Sequence, residues 1–374
     1  MKFSDYDYVP TIRTRNAELL GIKELREETK CSILPQVRLC KINRTHDALS
    51  ALDKWLDAHK GPAILQLEHT NSLRIEQKEY STLISPNNNF SAWVEFILES
   101  KKKNEGLIPG LVYNSSIGKR DFVNQVKKIE TEFGKMVFNL DPMDKRSVAA
   151  ASTAATVVSD LNNILFILDS GQISRERQMS ALNATIFAMN ELRTVDPSID
   201  IVTSATSFPN NFPPYLVSPQ STSGIIPMLE WDNFHSFGGR DFAIYGDYAS
   251  IHGEFYKGSF AQFVARVDYP TPGEWMFERH RPNDPKNCDR SELYIKAAKE
   301  IIANECWDDE LNVWGAKIIK MVAQGNTDSF KSPSKWISVR LNLHIERMVD
   351  FIAQGITSNN SYLPDEGEGE EFDW

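Results

Sequence analysis

Short apolar runs alternate with longer amphipathic ones through the first two-thirds of the chain. Residues 8–15 (YVPTIRTR) read as a strand. Residues 16–30 read as a helix, with Leu19, Leu20, Ile22 and Leu25 at helical spacing and Asn16 placed to cap it. The pairing repeats with a strand at 32–40, a helix at 45–60 opened by Thr45, and a strand at 62–70. Helices at 90–103, 119–134, 147–161 and 174–195 then alternate with strands at 106–114, 135–141, 163–169 and 199–207. A proline-rich loop is expected over 208–229 and a short helix near 231–238, and a last strand ends in the stretch AIYGDYASI, residues 243–251.

Strands separated by helices run parallel, and a parallel sheet must be covered on both faces. Eight such units within residues 1–255 predict an α/β fold, a (β/α)8 TIM-like barrel. A doubly wound open sheet is the alternative, but it favours a glycine-rich first turn, and no GxGxxG follows the first strand. The pattern changes after residue 252. Residues 259–270 and 273–281 predict a β-hairpin, and 291–307, 310–325 and 334–355 predict helices. The hairpin and helices, within 256–360, are expected to complete or cap the barrel, the helix at 291–307 serving as its eighth or all three forming a cap. Residues 361–374 form an acidic, glycine-rich tail expected to be disordered.

Composition narrows the partners. The formal net charge is -10, so nucleic acid and anionic membranes are not default partners. No apolar segment approaches the roughly 18 residues of a membrane span, and the N-terminus carries no apolar signal-peptide core. The four cysteines, Cys31, Cys40, Cys288 and Cys306, match neither a zinc set nor a redox pair. A cytoplasmic protein with reduced thiols is the expectation.

In such barrels chemistry gathers at the carboxyl ends of the strands. Those ends supply Arg13, Arg15, Arg38, Glu68, His69, Asn114, Asp141, Asp169, Ser204, Thr206 and Asp247, with Tyr248 beside the last. One reading puts Asp141, Asp169, Asp247 and His69 in acid/base roles, or the carboxylates around a divalent ion such as Mg2+. Arg13 and Arg38 would grip an anionic, phosphate-containing small molecule, with Asn114 and Tyr248 as further contacts. The plainer reading treats each aspartate as a turn or cap and the arginines as halves of internal salt bridges. On that reading the barrel is catalytically silent and engages a partner protein through its surface or its acidic tail. HExxH, GxSxG, P-loop and strand-one HxH patterns are absent.

Four stretches carry a family resemblance: YVPTIRTRNAE, IYGDY, the Trp275-x-x-x-Arg279 of WMFERHR, and a late string containing Gly315, Ile318, Gly325, Trp336, Arg340, Asn342 and His344. Together they resemble the "beta family" proteins of bacteria and phages. The resemblance implies a barrel met in phage and mobile-element settings, and with it a role in phage–host conflict. It raises the expectation that Asp247 does more than form a turn.

Overall fold

The protein is described here from a computed structural model covering residues 2–41, 47–70, 72–254, 263–282, 284 and 289–356. The expected cap Thr45, the first residues of the expected hairpin and the acidic tail lie outside the described residues.

Eight parallel strands form one sheet. They are β1 (Tyr8–Arg13), β2 (Gln36–Leu39), β3 (Ala63–Leu67), β4 (Leu107–Pro109), β5 (Met136–Leu140), β6 (Ile164–Gln172), β7 (Ile201–Thr206) and β9 (Ile244–Asp247). Their order is β4-β3-β2-β1-β9-β7-β6-β5. A bridge from Gly110 to Val137, with the Leu111 N–H donating to the Val137 carbonyl at 2.8 Å, joins the two ends. The expected TIM-like barrel is therefore the fold, nearly closed at this seam.

Alternation along the strands fixes what faces inward. Val9, Leu34, Ile64, Ile108, Val137, Leu165, Val202 and Ile244 form an apolar floor with Phe3 and Tyr6. The layer above is polar: Thr11 donates to Gln36 at 2.7 Å, and Gln36 donates to Gln66 at 2.7 Å. The outward residues, such as Tyr8, Ile12, Val37, Leu65 and Phe138, form the main core under the helices.

Those helices are α1 (Asn16–Lys23), α2 (Glu27–Ser32), α3 (Ala48–Ala58), α4 (Gln77–Leu83), α5 (Ser91–Lys103), α6 (Lys119–Phe133), α7 (Lys145–Val157), α8 (Arg175–Val195) and α9 (Leu229–Ser236). The helix expected over 16–30 is broken in two. At the break the Arg26 backbone N–H donates to Glu346 at 2.7 Å, and its Nε donates to the other oxygen of the same carboxylate at 2.7 Å. This partner is 320 residues away, so no local pattern announces it. Asn16 is the first helical residue, and the capping position belongs to Arg15.

A second sheet is antiparallel. It contains β8 (Ser223–Pro227), β10 (Ala265–Thr271) and β11 (Glu274–His280) in the order β10-β11-β8. The hairpin forms as expected. The loop expected over 208–229 instead contains the third strand, whose short run pairs with β11. Three helices complete the chain: α10 (Arg290–Ile302), α11 (Trp314–Ala323) and α12 (Pro333–Ala353). Helix α10 packs against β10 and β11, and with α11 and part of α12 it builds a separate apolar cluster. The place beside the first barrel helix goes to α12, which lies against α1, α2 and β1, and not to the segment 291–307. The contact is close: a Cβ on Gly21 of α1 would stand 2.8 Å from the Ser338 carbonyl oxygen of α12. Buried on nearly every side, α12 is apolar or internally bonded around its circumference. No helix among the described residues is long and apolar enough to cross a membrane.

Candidate functional site

At the carboxyl mouth of the barrel the inward residues of the top layer are charged. Arg13 and Glu68 pair at 2.7 Å, and both are almost fully buried. The other guanidinium nitrogens of Arg13 donate to the carbonyls of His252 (3.2 Å) and Gly253. Glu68 also accepts from the Thr70 N–H and hydroxyl, each at 2.9 Å. Burial alone would raise the Glu68 carboxyl, but the Arg13 and Arg38 cations outweigh it and hold it at about 2.

Arg38 and Asp169 form the second pair, and Tyr248 closes it. The Tyr248 hydroxyl donates to the Asp169 carboxylate at 2.9 Å and accepts from Arg38 at 3.1 Å. The Arg38 guanidinium also lies 4.9 Å from the centre of the Tyr248 ring. Burial holds the Tyr248 phenol above its ordinary value, which keeps it a donor. The structure thus brings Arg13, Arg38, Asp169 and Tyr248 together, as expected for one mouth. It adds Glu68, which the sequence marks only as a strand end.

The other expected site residues lie apart. Asp141 is exposed and accepts from the Met143 N–H at 2.8 Å, so it serves a turn. Asn114 accepts from the Ser116 N–H at 2.9 Å in another turn. His69 is exposed at the rim and reaches the Tyr80 hydroxyl at 3.4 Å. Asp247 is the clearest correction. It points away from the barrel interior, on the same side of β9 as Tyr245, and it is fully buried. A shared cavity with Asp169 is therefore not formed, and Asp141, Asp169 and Asp247 do not converge in the way the Mg2+ expectation requires.

Asp247 is instead the centre of a sealed cluster. One carboxylate oxygen accepts from the Tyr8 hydroxyl (2.6 Å) and the Ala249 N–H (2.8 Å). The other accepts from the Tyr245 hydroxyl (3.0 Å) and from His344 Nε2 (2.6 Å). Trp275 Nε1 can only donate, and it donates to His344 Nδ1 at 3.1 Å. Nδ1 therefore carries no proton, and Nε2–H is the donor to Asp247. The imidazole is neutral and the carboxylate carries the charge. Burial would raise Asp247, but His344, Tyr8 and the Ala249 N–H hold it below the usual carboxylate value. The cluster ties β1, β9, β11 and α12 together. The Gly-Asp-Tyr stretch now has a physical account. Gly246 faces inward where a Cβ would stand 2.8 Å from Val202, Asp247 faces outward into the cluster, and Tyr248 faces the mouth.

Above the mouth, between the barrel and the second sheet, is a cleft of about 740 Å³. Six arginines line it: Arg13, Arg15, Arg266, Arg279, Arg281 and Arg340. Three carboxylates face them: Glu18, Glu254 and Asp268. Asp268 alone serves two cations, Arg266 at 2.8 Å and Arg340 at 3.2 Å. The guanidiniums of Arg266 and Arg340 lie over the rings of Phe212 (3.4 Å) and Phe208 (4.0 Å), which fixes their planes. Burial pulls Arg340 down to about 10. Burial, then the neighbouring Arg281 and Arg266 cations, also lowers Arg279, whose buried Nη1 has no hydrogen-bond partner among the described residues. Sequence reading drew Arg279 and Arg340 only as family markers and left out Arg266 and Arg281. The signal available was the alternation in β10 and β11, which puts Arg266 directly opposite Arg279 on one face.

Comparison with known proteins spans both halves of this arrangement. Residues 8–350 match the family model described as Beta protein. Protein beta of Enterobacteria phage P4 is 33% identical over 349 residues, covering 93% of this chain and 94% of that protein. The matched region includes the barrel, the second sheet and nearly all of α12, so the chain belongs to the Beta protein family.

Proposed function

We propose that the protein binds an anionic, phosphate-bearing ligand in the arginine-lined cleft over the barrel mouth, with the mouth itself acting as a rigid base. The observation that carries this reading is the charge imbalance of the cleft. Setting aside Arg13, whose charge Glu68 neutralises, five arginines face three carboxylates, in a chain whose formal net charge is -10. Like charges gathered in a half-buried site repel one another, and an anion relieves that repulsion while filling unused donors. Arginine suits the task because its planar fork matches phosphate oxygens in pairs. The mouth acids are ill placed for acid/base work: Glu68 and Asp169 are each committed to an arginine. The reading is accordingly one of binding, with the ligand held by Arg279, Arg281 and Arg266 and backed by the Arg13–Glu68 pair.

Calorimetric titration of the full chain with inorganic pyrophosphate, at fixed ionic strength, tests it. Saturable binding is expected, and Arg279→Ala should weaken it by about 10-fold or more, the worth of one charge-assisted hydrogen bond. Absence of saturable binding at millimolar pyrophosphate, or unchanged affinity in Arg279→Ala and Arg281→Ala, would count against the cleft as an anion site.

A further inference from the structure

The opposite face of β11 carries a different set of groups. Arg279 points into the cleft, while its neighbours Glu278 and His280 point to the other side, toward α10. There they meet Glu300, which comes from the last turn of α10. One donor atom from each of Glu278, His280 and Glu300 lies within 4.8 Å of the other two. Glu278 and His280 are buried, and Glu300 is about one-third exposed, so the group opens to solvent on one side.

The pairing inside this group is incomplete. His280 Nε2 contacts a Glu300 oxygen, and Ser223 donates to Glu278 Oε1. Glu278 Oε2 is buried and has no hydrogen-bond partner among the described residues. A nearby ammonium, Lys296, reaches Glu300 only at 3.9 Å and from the exposed side. Two carboxylates and an imidazole within 4.8 Å of one another, with one buried carboxylate oxygen lacking a hydrogen-bond partner among the described residues, are a poor arrangement for the protein alone. They are a good one for a cation that all three can share.

We propose that Glu278, His280 and Glu300 form a binding site for a divalent transition-metal ion of the Zn2+ type. Imidazole nitrogen with carboxylate oxygen suits such an ion better than Ca2+ or Mg2+, which favour all-oxygen sets. Donor atoms on a tetrahedral ion at 2.0–2.2 Å stand about 3.4 Å apart, so atoms now within 4.8 Å of one another close by at most roughly 1.4 Å, while the His280–Glu300 contact opens to admit the ion. Glu300 sits on the exposed side of α10 and can supply most of that movement by changing rotamer. Three protein ligands leave a fourth position open toward solvent. The site is separate from the arginine cleft, because the two lie on opposite faces of the same strand, and either can fail without the other.

Metal uptake by the full chain decides the matter. Chelator-stripped protein should take up one equivalent of Zn2+ in equilibrium dialysis, and Co2+ in its place should show the intense visible d–d bands of a low-coordinate site. Glu300→Gln should weaken Zn2+ by about 10-fold or more, on the scale by which altered metal-site residues act. His280→Gln should abolish the Co2+ bands. If His280→Gln fails to fold, Glu300→Gln, on a partly exposed position, still decides. No stoichiometric uptake by the unaltered chain at about 100 μM metal (a Kd weaker than roughly −5.5 kcal/mol), or Glu300→Gln with unchanged affinity, would overturn the proposal.

Discussion

The barrel mouth and the cleft above it are both built from arginines, but the two regions use them differently. In the mouth each guanidinium has a carboxylate of its own: Arg13 has Glu68, and Arg38 has Asp169. In the cleft the cations outnumber the acids, and Asp268 is shared between Arg266 and Arg340. In charge the mouth is a balanced set and the cleft is not, although the buried Arg38 Nε of the mouth also has no hydrogen-bond partner among the described residues. The difference separates structure from recognition. A buried pair that satisfies itself holds strands in place and has little left for a ligand. A site with surplus donors is incomplete until something joins it. The Asp247 cluster beneath α12 is the extreme of the closed kind, since one carboxylate there receives four donors.

The comparison breaks most visibly at Asp247. Asp247→Ala strips the acceptor from two buried hydroxyls, from His344 Nε2–H and from the Ala249 N–H. The expected loss of unfolding free energy is about 3–5 kcal/mol, the scale of dismantling a buried charged network. Urea unfolding followed by circular dichroism measures it. A loss under about 1 kcal/mol would mean the cluster is not a structural tie, and Asp247 would return as a candidate for chemistry.

The Arg13–Glu68 pair gives the next effect. Arg13→Met or Glu68→Gln alone leaves a buried partner uncompensated and should cost about 3 kcal/mol each. The double variant should cost clearly less than the sum, because the removed groups shared one interaction. Additive losses would show that the pair is not closed and that Arg13 is free to serve the cleft.

These elements also show what the chain made legible. The eight strands and their parallel order follow from repeated apolar runs and intervening amphipathic stretches, which are local signals. Inward and outward faces follow from strand parity once the strand ends are fixed. Arg13, Arg38 and Asp169 were found at the mouth on that basis. Asp247 was misplaced because its parity depends on where β9 begins, and Gly246, lacking a side chain, carries no apolar or polar mark to set the phase. The break between α1 and α2 depends on Glu346, and the strand β8 depends on pairing with β11; neither partner is near in sequence. The arginine cleft joins a loop, a hairpin and a terminal helix, so only the folded chain assembles it.

The smallest effect sharpens the closed half of the comparison. Glu230 is buried beside the Asp247 cluster and accepts from the Ser207 N–H at 2.8 Å. Burial first, and then the Asp247 charge, push its carboxyl from 4.5 up to about 8. Two buried acids stand close together and only one of them is ionised at neutral pH. Folded protein therefore binds a proton that unfolded protein releases above pH 4.5. The sign follows: the stability from this group is fully present below pH 4.5 and is lost as pH rises through about 8. The slope cannot exceed about 1.4 kcal/mol per pH unit for one proton. Glu230→Gln keeps a neutral side chain of the same shape and should flatten the fall in stability between those two pH values. Glu68, held at about 2, acts with the opposite sign and only in acid, so it does not obscure the comparison. An unchanged slope in Glu230→Gln would place the proton elsewhere, and the cluster would then hold two buried charges rather than one.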